Sequence, residues 1–361
     1  MITEIGSNFW ETECLEKGNN SLLWWKQNDY NIQYYKSGRN AIKALCKNIG
    51  LRKKVAIPIY TCDTVIQPFL DEKWDVVFYK INKDLSICDQ SLDDVVNKDK
   101  PDVIFFHSFF GFNTYGNTEN IIKYKNQGIV IVEDLTQSLF SNHFLKMADY
   151  YVTSFRKFIA IADGGALISK KKLTNQCVSD ADNRIVETAL IAFETKKEYF
   201  DTGNSELKIL YRKKYQELNS LISNNEQLMK MSDYSRTIID SCNIKLITDI
   251  RQKNYEYLSH KIEEISFVKT VLELSIEKCT PLYLPIYVTE REEVQKYLAE
   301  HNVYCPIIWP KSNSITFYDS DVDYMYNNML CIPIDQRYSI EDMKKVVFLL
   351  LKFRDERGKK N

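Results

Sequence analysis

Three groups of residues in this 361-residue chain have the types and spacing to do chemistry together. The first is an amine. In "TSFRKFIAIADGGALI" (Thr153–Ile168), Lys157 directly follows an apolar, strand-like run and stands seven and eight residues before Gly164-Gly165. A lone Lys in such a loop is ordinarily solvated. The second is a carboxylate: the apolar run "IVIV" ends in Glu133 and Asp134, with Gln137 three residues on. The third is a helix start. "KSGRNAI" puts Ser37 and Gly38 at the head of a helical pattern, where free amides and the positive dipole end favour an anion. Taken singly, Ser37 is an ordinary N-cap residue beside a turn glycine.

The elements that must position these groups are legible as an α/β alternation. Strands are expected at Lys53–Tyr60, Trp74–Ile81, Pro101–Phe109, Gly128–Asp134 and Asp149–Phe155, and Gly165–Lys171 could add an antiparallel edge. Helical patterns at Gly38–Ile49 and Thr118–Gln127 lie between them. The near-continuous apolar character of "IVIV" and "VIFF" fits strands covered on both faces. Ligands of open α/β sheets sit at the carboxyl ends of the strands. The polar residues there are Thr61 and Cys62, then Asp134 and Gln137, then Arg156 and Lys157. Beyond residue 183 the pattern turns helical, with Leu207–Ile222 the most amphipathic segment, and a smaller α+β region closes the chain. The division expected is 1–235 for a mainly parallel large domain and 236–361 for a small C-terminal domain.

An amine, a strand-end carboxylate and a donor-rich helix start are what pyridoxal 5'-phosphate requires. It takes a Lys for a Schiff base, an acid to keep its ring nitrogen protonated and an anion site for its phosphate. A buried Asp meets in the pyridinium the cation it needs. Competing motifs are missing. There is no GxGxxG and no GxSxG, and "GFNTYGNT" (Gly111–Thr118) has Asn117 where a phosphate-binding loop needs Lys.

Composition narrows the remaining classes. A net charge of −1, with 44% hydrophobic and 27% charged residues, is that of an ordinary soluble protein. It offers no electrostatic reason for a nucleic-acid or membrane partner. Nine cysteines without a CxxC pair suggest reduced thiols, and four histidines stand at no metal-ligand spacing. The first residues have neither the basic nor the apolar region of a secretory leader, so a cytoplasmic location and no metal are expected.

With these residues in place, the sequence resembles the DegT/DnrJ/EryC1/StrS family of fold-type-I, pyridoxal-phosphate-dependent sugar aminotransferases. The likeness runs through "EIGSNFW", "SGRNAIKAL", "IPIYTCDTVIQPF", "VIVEDLTQS", "TSFRKFIAIADGGALI", "PIIWP" and "CIPIDQRY". The resemblance implies that Lys157 forms the internal aldimine and shuttles the proton, and that Asp134 pairs with the ring nitrogen. It further implies that Gln137 reaches the ring hydroxyl, that Gly38 and Arg39 present amides to the phosphate, and that Ser154 adds a contact. A homodimer, an amino donor such as glutamate and a nucleotide-linked keto-sugar acceptor follow from the same likeness. Relatives that dehydrate carry His in place of the Lys, so Lys157 implies transamination.

Three departures accompany it. Cys62 stands where an aromatic residue usually stacks on the cofactor ring. The segment from Ser154 to Lys157 is about two residues shorter than usual, which leaves Arg156 either solvated or inside the site. "DYSR" (Asp233–Arg236) matches a partner-chain motif only loosely. A pyridoxal-phosphate fold with a regulatory or binding role, and a cofactor-free nucleotide-binding protein, are the alternative readings.

Overall fold

The computed structural model describes residues 4–10, 23–50, 53–116, 118–174, 178–224, 227–316 and 319–358. Its centre is a seven-stranded sheet. The strands are β2 (Asn31–Tyr35), β3 (Lys54–Pro58), β4 (Asp75–Tyr79), β5 (Val103–His107), β6 (Val130–Asp134), β7 (Tyr150–Ser154) and β8 (Gly165–Ser169), in the order β2-β8-β7-β6-β5-β3-β4. Strands β3 to β7 run parallel, and β8 is antiparallel to both β7 and β2. The five strands expected from the apolar runs are all present, four shortened at both ends and β6 only at its start.

Strand β8 is antiparallel as expected but is not an edge. The edge is β2, which the sequence shows only as the aromatic cluster "NIQYY". The burial explains the difference: every residue of β8 is buried, whereas β2 is exposed at its start and only half-buried through its middle. A strand paired on both sides is closed off from water, and an outer strand is not.

Alternation along the strands divides the core into two layers. Val55, Ile57, Phe105, Val132 and Val152 face the helix Gly38–Ile49 through Ala41 and Leu45. Ala56, Ile104, Phe106 and Ile131 face the opposite way, into a core continuous with the C-terminal region. That region holds a three-stranded antiparallel sheet of β9 (Val268–Thr270), β10 (Tyr283–Val288) and β12 (Met329–Pro333), with the helices Ile244–Ile262, Arg291–Glu300 and Ile340–Gly358. The chain's beginning joins this end: β1 (Ile5–Gly6) pairs in parallel with β11 (Val303–Tyr304). The Tyr338 hydroxyl closes the junction, accepting from Gly6 N at 2.7 Å and donating to Gly6 O at 3.0 Å.

Because β2 runs in the same direction as β7, its carboxyl end lies on the same sheet edge as those of β3, β5, β6 and β7. The helix Gly38–Ile49 starts there.

Candidate active site

All seven residues singled out as cofactor contacts line one cavity of about 530 Å³: Gly38, Arg39, Cys62, Asp134, Gln137, Ser154 and Lys157. Its volume is that of an ordinary small-molecule site. The cavity lies along the carboxyl edge of the sheet, and Trp309 and Arg337 from the C-terminal region also line it.

The helix start is built by close backbone approach. Ser37 caps it, its Oγ accepting from Asn40 N at 3.2 Å. A Cβ on Gly165 would sit 2.3 Å from the Ser37 carbonyl carbon, so only glycine lets β8 begin against this turn. Gly164, with φ of +134°, adopts a conformation that side chains disfavour. The glycine pair therefore divides the work: one residue turns the chain, the other admits a neighbouring backbone. Asp163 anchors the turn, its carboxylate accepting from Ser232 N at 2.9 Å and Ser232 Oγ at 2.6 Å.

Lys157 ends a single 3-10 turn, Phe155–Lys157, that directly follows β7. Its side chain is exposed to the cavity but surrounded by protein. Burial lowers the pKa of its amine, Cys62 opposes that shift, the cations of Arg156 and Arg39 reinforce it, and Asp134 opposes it in turn. An amine so lowered is neutral more often and is the better nucleophile. Lys157 is exposed, as a lone βα-loop lysine would be, but it lines the cavity.

Asp134 is held from two sides. One carboxylate oxygen accepts from Thr136 N at 2.8 Å, and the other lies 3.2 Å from His107 Nδ1. A carboxylate can only accept, so the imidazole proton belongs on Nδ1, and Nε2 accepts from the Thr61 hydroxyl at 2.9 Å. Glu133, one residue before, points away from this network. It is fully buried, takes Ser108 Oγ at 2.5 Å and Leu145 N at 2.6 Å, and burial pushes its pKa up to about 7. Gln137 accepts Phe110 N at 2.8 Å through Oε1, which leaves the amide NH2 as the donor end.

Cys62 lines the cavity with its Sγ 2.8 Å from Thr64 Oγ1, and burial raises its thiol pKa. Near it stands an aromatic group that the sequence reading did not assign to the site. Trp309 packs on Tyr60 at 5.0 Å and on the His107 ring at 5.5 Å. Arg156 is inside the cavity wall rather than in bulk water, its Nη2 3.3 Å from Asn219 Oδ1. The "DYSR" segment opens the helix Asp233–Ser241, and its Arg236 stacks on Tyr34 at 3.6 Å and pairs with Asp240.

His107 was the residue most available to sequence reasoning and still missed. It ends β5 as Asp134 ends β6, so the same strand-end rule finds it. Trp309 had no such signal, since it arrives from the distant C-terminal region.

No protein-family model matches the chain, and no curated protein matches it in sequence. Solved structures do match. A DegT DnrJ EryC1 StrS aminotransferase from Brucella abortus superposes with a TM-score of 0.63 at 15% identity, over 90% of this chain and 86% of the other. PseC of Helicobacter pylori, an aminotransferase of pseudoaminic acid biosynthesis, gives 0.67 at 13% identity over 97% and 99%. NtdA of Bacillus subtilis, solved with the cofactor PMP, gives 0.68 at 14% over 98% and 85%. These likenesses extend over nearly the whole chain, and by them the chain has the α/β, fold-type-I architecture that the DegT/DnrJ/EryC1/StrS aminotransferases share.

Proposed function

We propose that this protein is a pyridoxal-phosphate-dependent aminotransferase that moves an amino group from glutamate to a nucleotide-linked keto-sugar. The observation that carries this reading is the meeting of Lys157, the His107–Asp134 pair and the Ser37–Gly38 helix start around one cavity. The residues suit the cofactor. A helix start abuts Ser154, with room for no side chain on Gly165, and an amine and a carboxylate line the same space. When bound, the cofactor supplies an electron sink for carbanion chemistry next to nitrogen.

The chain's own residues do the rest. Lys157 would hold the cofactor, and its amine would be the group placed to move a proton at the reacting carbon. Asp134 keeps the ring nitrogen protonated, and His107 fixes the orientation of that carboxylate. The Gln137 amide NH2 donates to the ring hydroxyl. Gly38 and Arg39 present amides to the phosphate, and Ser154 adds its hydroxyl. The site wall built by Trp309 and Cys62 restricts water around the ring. On this reading residues 1–235 carry the cofactor and 236–361 close over it, two copies associate, and the enzyme works in the cytoplasm without a metal.

The test is spectral. Purified protein given pyridoxal phosphate is expected to show a visible band that bleaches with glutamate and returns with one member of a panel of keto-sugar nucleotides. Cofactor binding with no amine exchange would make the chain a binding or regulatory protein. A colourless protein that ignores pyridoxal phosphate would end the cofactor reading.

A further inference from the structure

Two guanidinium groups border the cavity beside the helix start. Arg39 comes from the first turn of the helix Gly38–Ile49, and Arg156 from the turn after β7. The two segments touch: a Cβ on Gly38 would lie 3.3 Å from Ser154 Cβ. Both arginines are partly buried, and among the described residues no carboxylate is in ion-pair contact with either. The charge of Asp163 acts on Arg156, but its oxygens are engaged by Ser232. Asn219 fixes the Arg156 fork through its amide oxygen, which neutralises no charge. Burial lowers the Arg156 pKa, Asp163 opposes that shift, and the charge of Arg39 adds to it. Two partly desolvated cations lining one cavity are costly without an anion near them.

We propose that Arg39 and Arg156 together clamp the dianionic phosphate of the cofactor through their guanidinium groups, with Arg156 brought into the site by the short turn between Ser154 and Lys157. The inference rests on the cofactor reading above and assigns charge recognition to two side chains. The helix amides supply direction, and the two forks supply the counter-charge. Guanidinium matches phosphate with paired donors, which an ammonium cannot. Arg156 stands two residues after Ser154, which lies against the helix start, so the clamp assigns its fork to the phosphate end of the cavity.

The experiment compares pyridoxal phosphate with pyridoxal, which lacks the phosphate, by absorbance titration of the unaltered chain and of Arg156→Gln, Arg156→Lys and Arg39→Gln. Arg156→Gln is expected to raise the Kd for pyridoxal phosphate about tenfold to a hundredfold and to leave that for pyridoxal unchanged. Arg156→Lys should fall between, and covers the case in which the Gln variant does not fold. Inorganic phosphate should compete with pyridoxal phosphate in the unaltered chain and less well in Arg156→Gln. Equal losses for both aldehydes, or none, overturn the clamp while leaving the cofactor reading intact. A change confined to the KM of the amino donor also overturns it, by assigning Arg156 to a substrate carboxylate. An unaltered chain that binds neither aldehyde overturns both readings.

Discussion

His107 and Asp134 are register partners on the adjacent parallel strands β5 and β6, and their side chains meet with Nδ1 3.2 Å from Oδ2. The hydrogen bond follows from the register, since partners at the same level of neighbouring strands project to the same face. Thr61, three residues beyond β3, completes the row through Nε2. Replacing His107 by Ala is therefore expected to loosen Asp134 without removing it. Turnover should fall about tenfold or more while the cofactor Kd changes little. An unchanged kcat, or loss of the cofactor itself, would show that the pair does not tune Asp134.

Asp134→Asn keeps the side chain's shape and loses its charge. The variant should retain bound cofactor and lose about a hundredfold or more in the half-reaction with glutamate, because the electron sink weakens. Rates near those of the unaltered chain would remove Asp134 from the mechanism. Stopped-flow absorbance measures both quantities at once.

Lys157→Ala should abolish borohydride-trapped cofactor on the peptide that contains Thr153–Ile168. Trapping on another peptide would relocate the amine. In the unaltered chain the rate of cofactor attachment should rise with pH and level off below the ordinary lysine value of 10.5, because burial lowers this amine. A profile still climbing through 10.5 would contradict the environment described.

Glu133 links stability to pH. Its carboxyl titrates at about 7 in the folded chain against an ordinary 4.5. Between those values the folded state holds a proton that the unfolded state has lost. Stability from this group is therefore fully present below 4.5 and declines as pH rises towards 7, by up to about 1.4 kcal/mol per pH unit. Glu133→Gln should flatten that slope, its amide donating to Ser108 Oγ and accepting from Leu145 N. Chemical denaturation of both proteins across pH 4.5 to 7.5 measures the difference, and equal slopes would refute it.

Gly165→Ala would drive a methyl group into the Ser37 backbone at 2.3 Å. The expected cost is about 1–3 kcal/mol, together with weaker cofactor binding, since the helix start must move. Gly50→Ala makes the converse contrast: Gly50 has a φ of +80°, which Gly165 does not share, and its Cβ meets nothing within 4 Å. It should leave cofactor affinity unchanged. Equal effects on cofactor binding would show that the damage at 165 is backbone strain in general.

Much of this site was readable in one dimension because strand ends are marked locally. An apolar run that stops at a charged residue identifies Asp134 or Lys157 wherever the strand lies in the sheet. The Ser-Gly pair marks the helix start in the same way, because capping needs only neighbours in sequence. Antiparallel β8 could also be expected from "GALISKK", but not its place in the sheet. Sheet order depends on which crossovers bring strands together, and β2 reaches the edge by pairing with a strand some 130 residues later.

The amino-acid sequence by itself determined the alternation of strands and helices, the residues at the strand ends and a cofactor chemistry that those residue types can serve. Those features depend on periodicity, capping and side-chain chemistry, all set by near neighbours. Only the tertiary structure decided that His107 meets Asp134, that Trp309 packs on the His107 ring, and that Arg39 and Arg156 line one cavity. Each of these joins residues far apart in the chain, and their meeting depends on register and on the packing of the C-terminal region against the sheet edge.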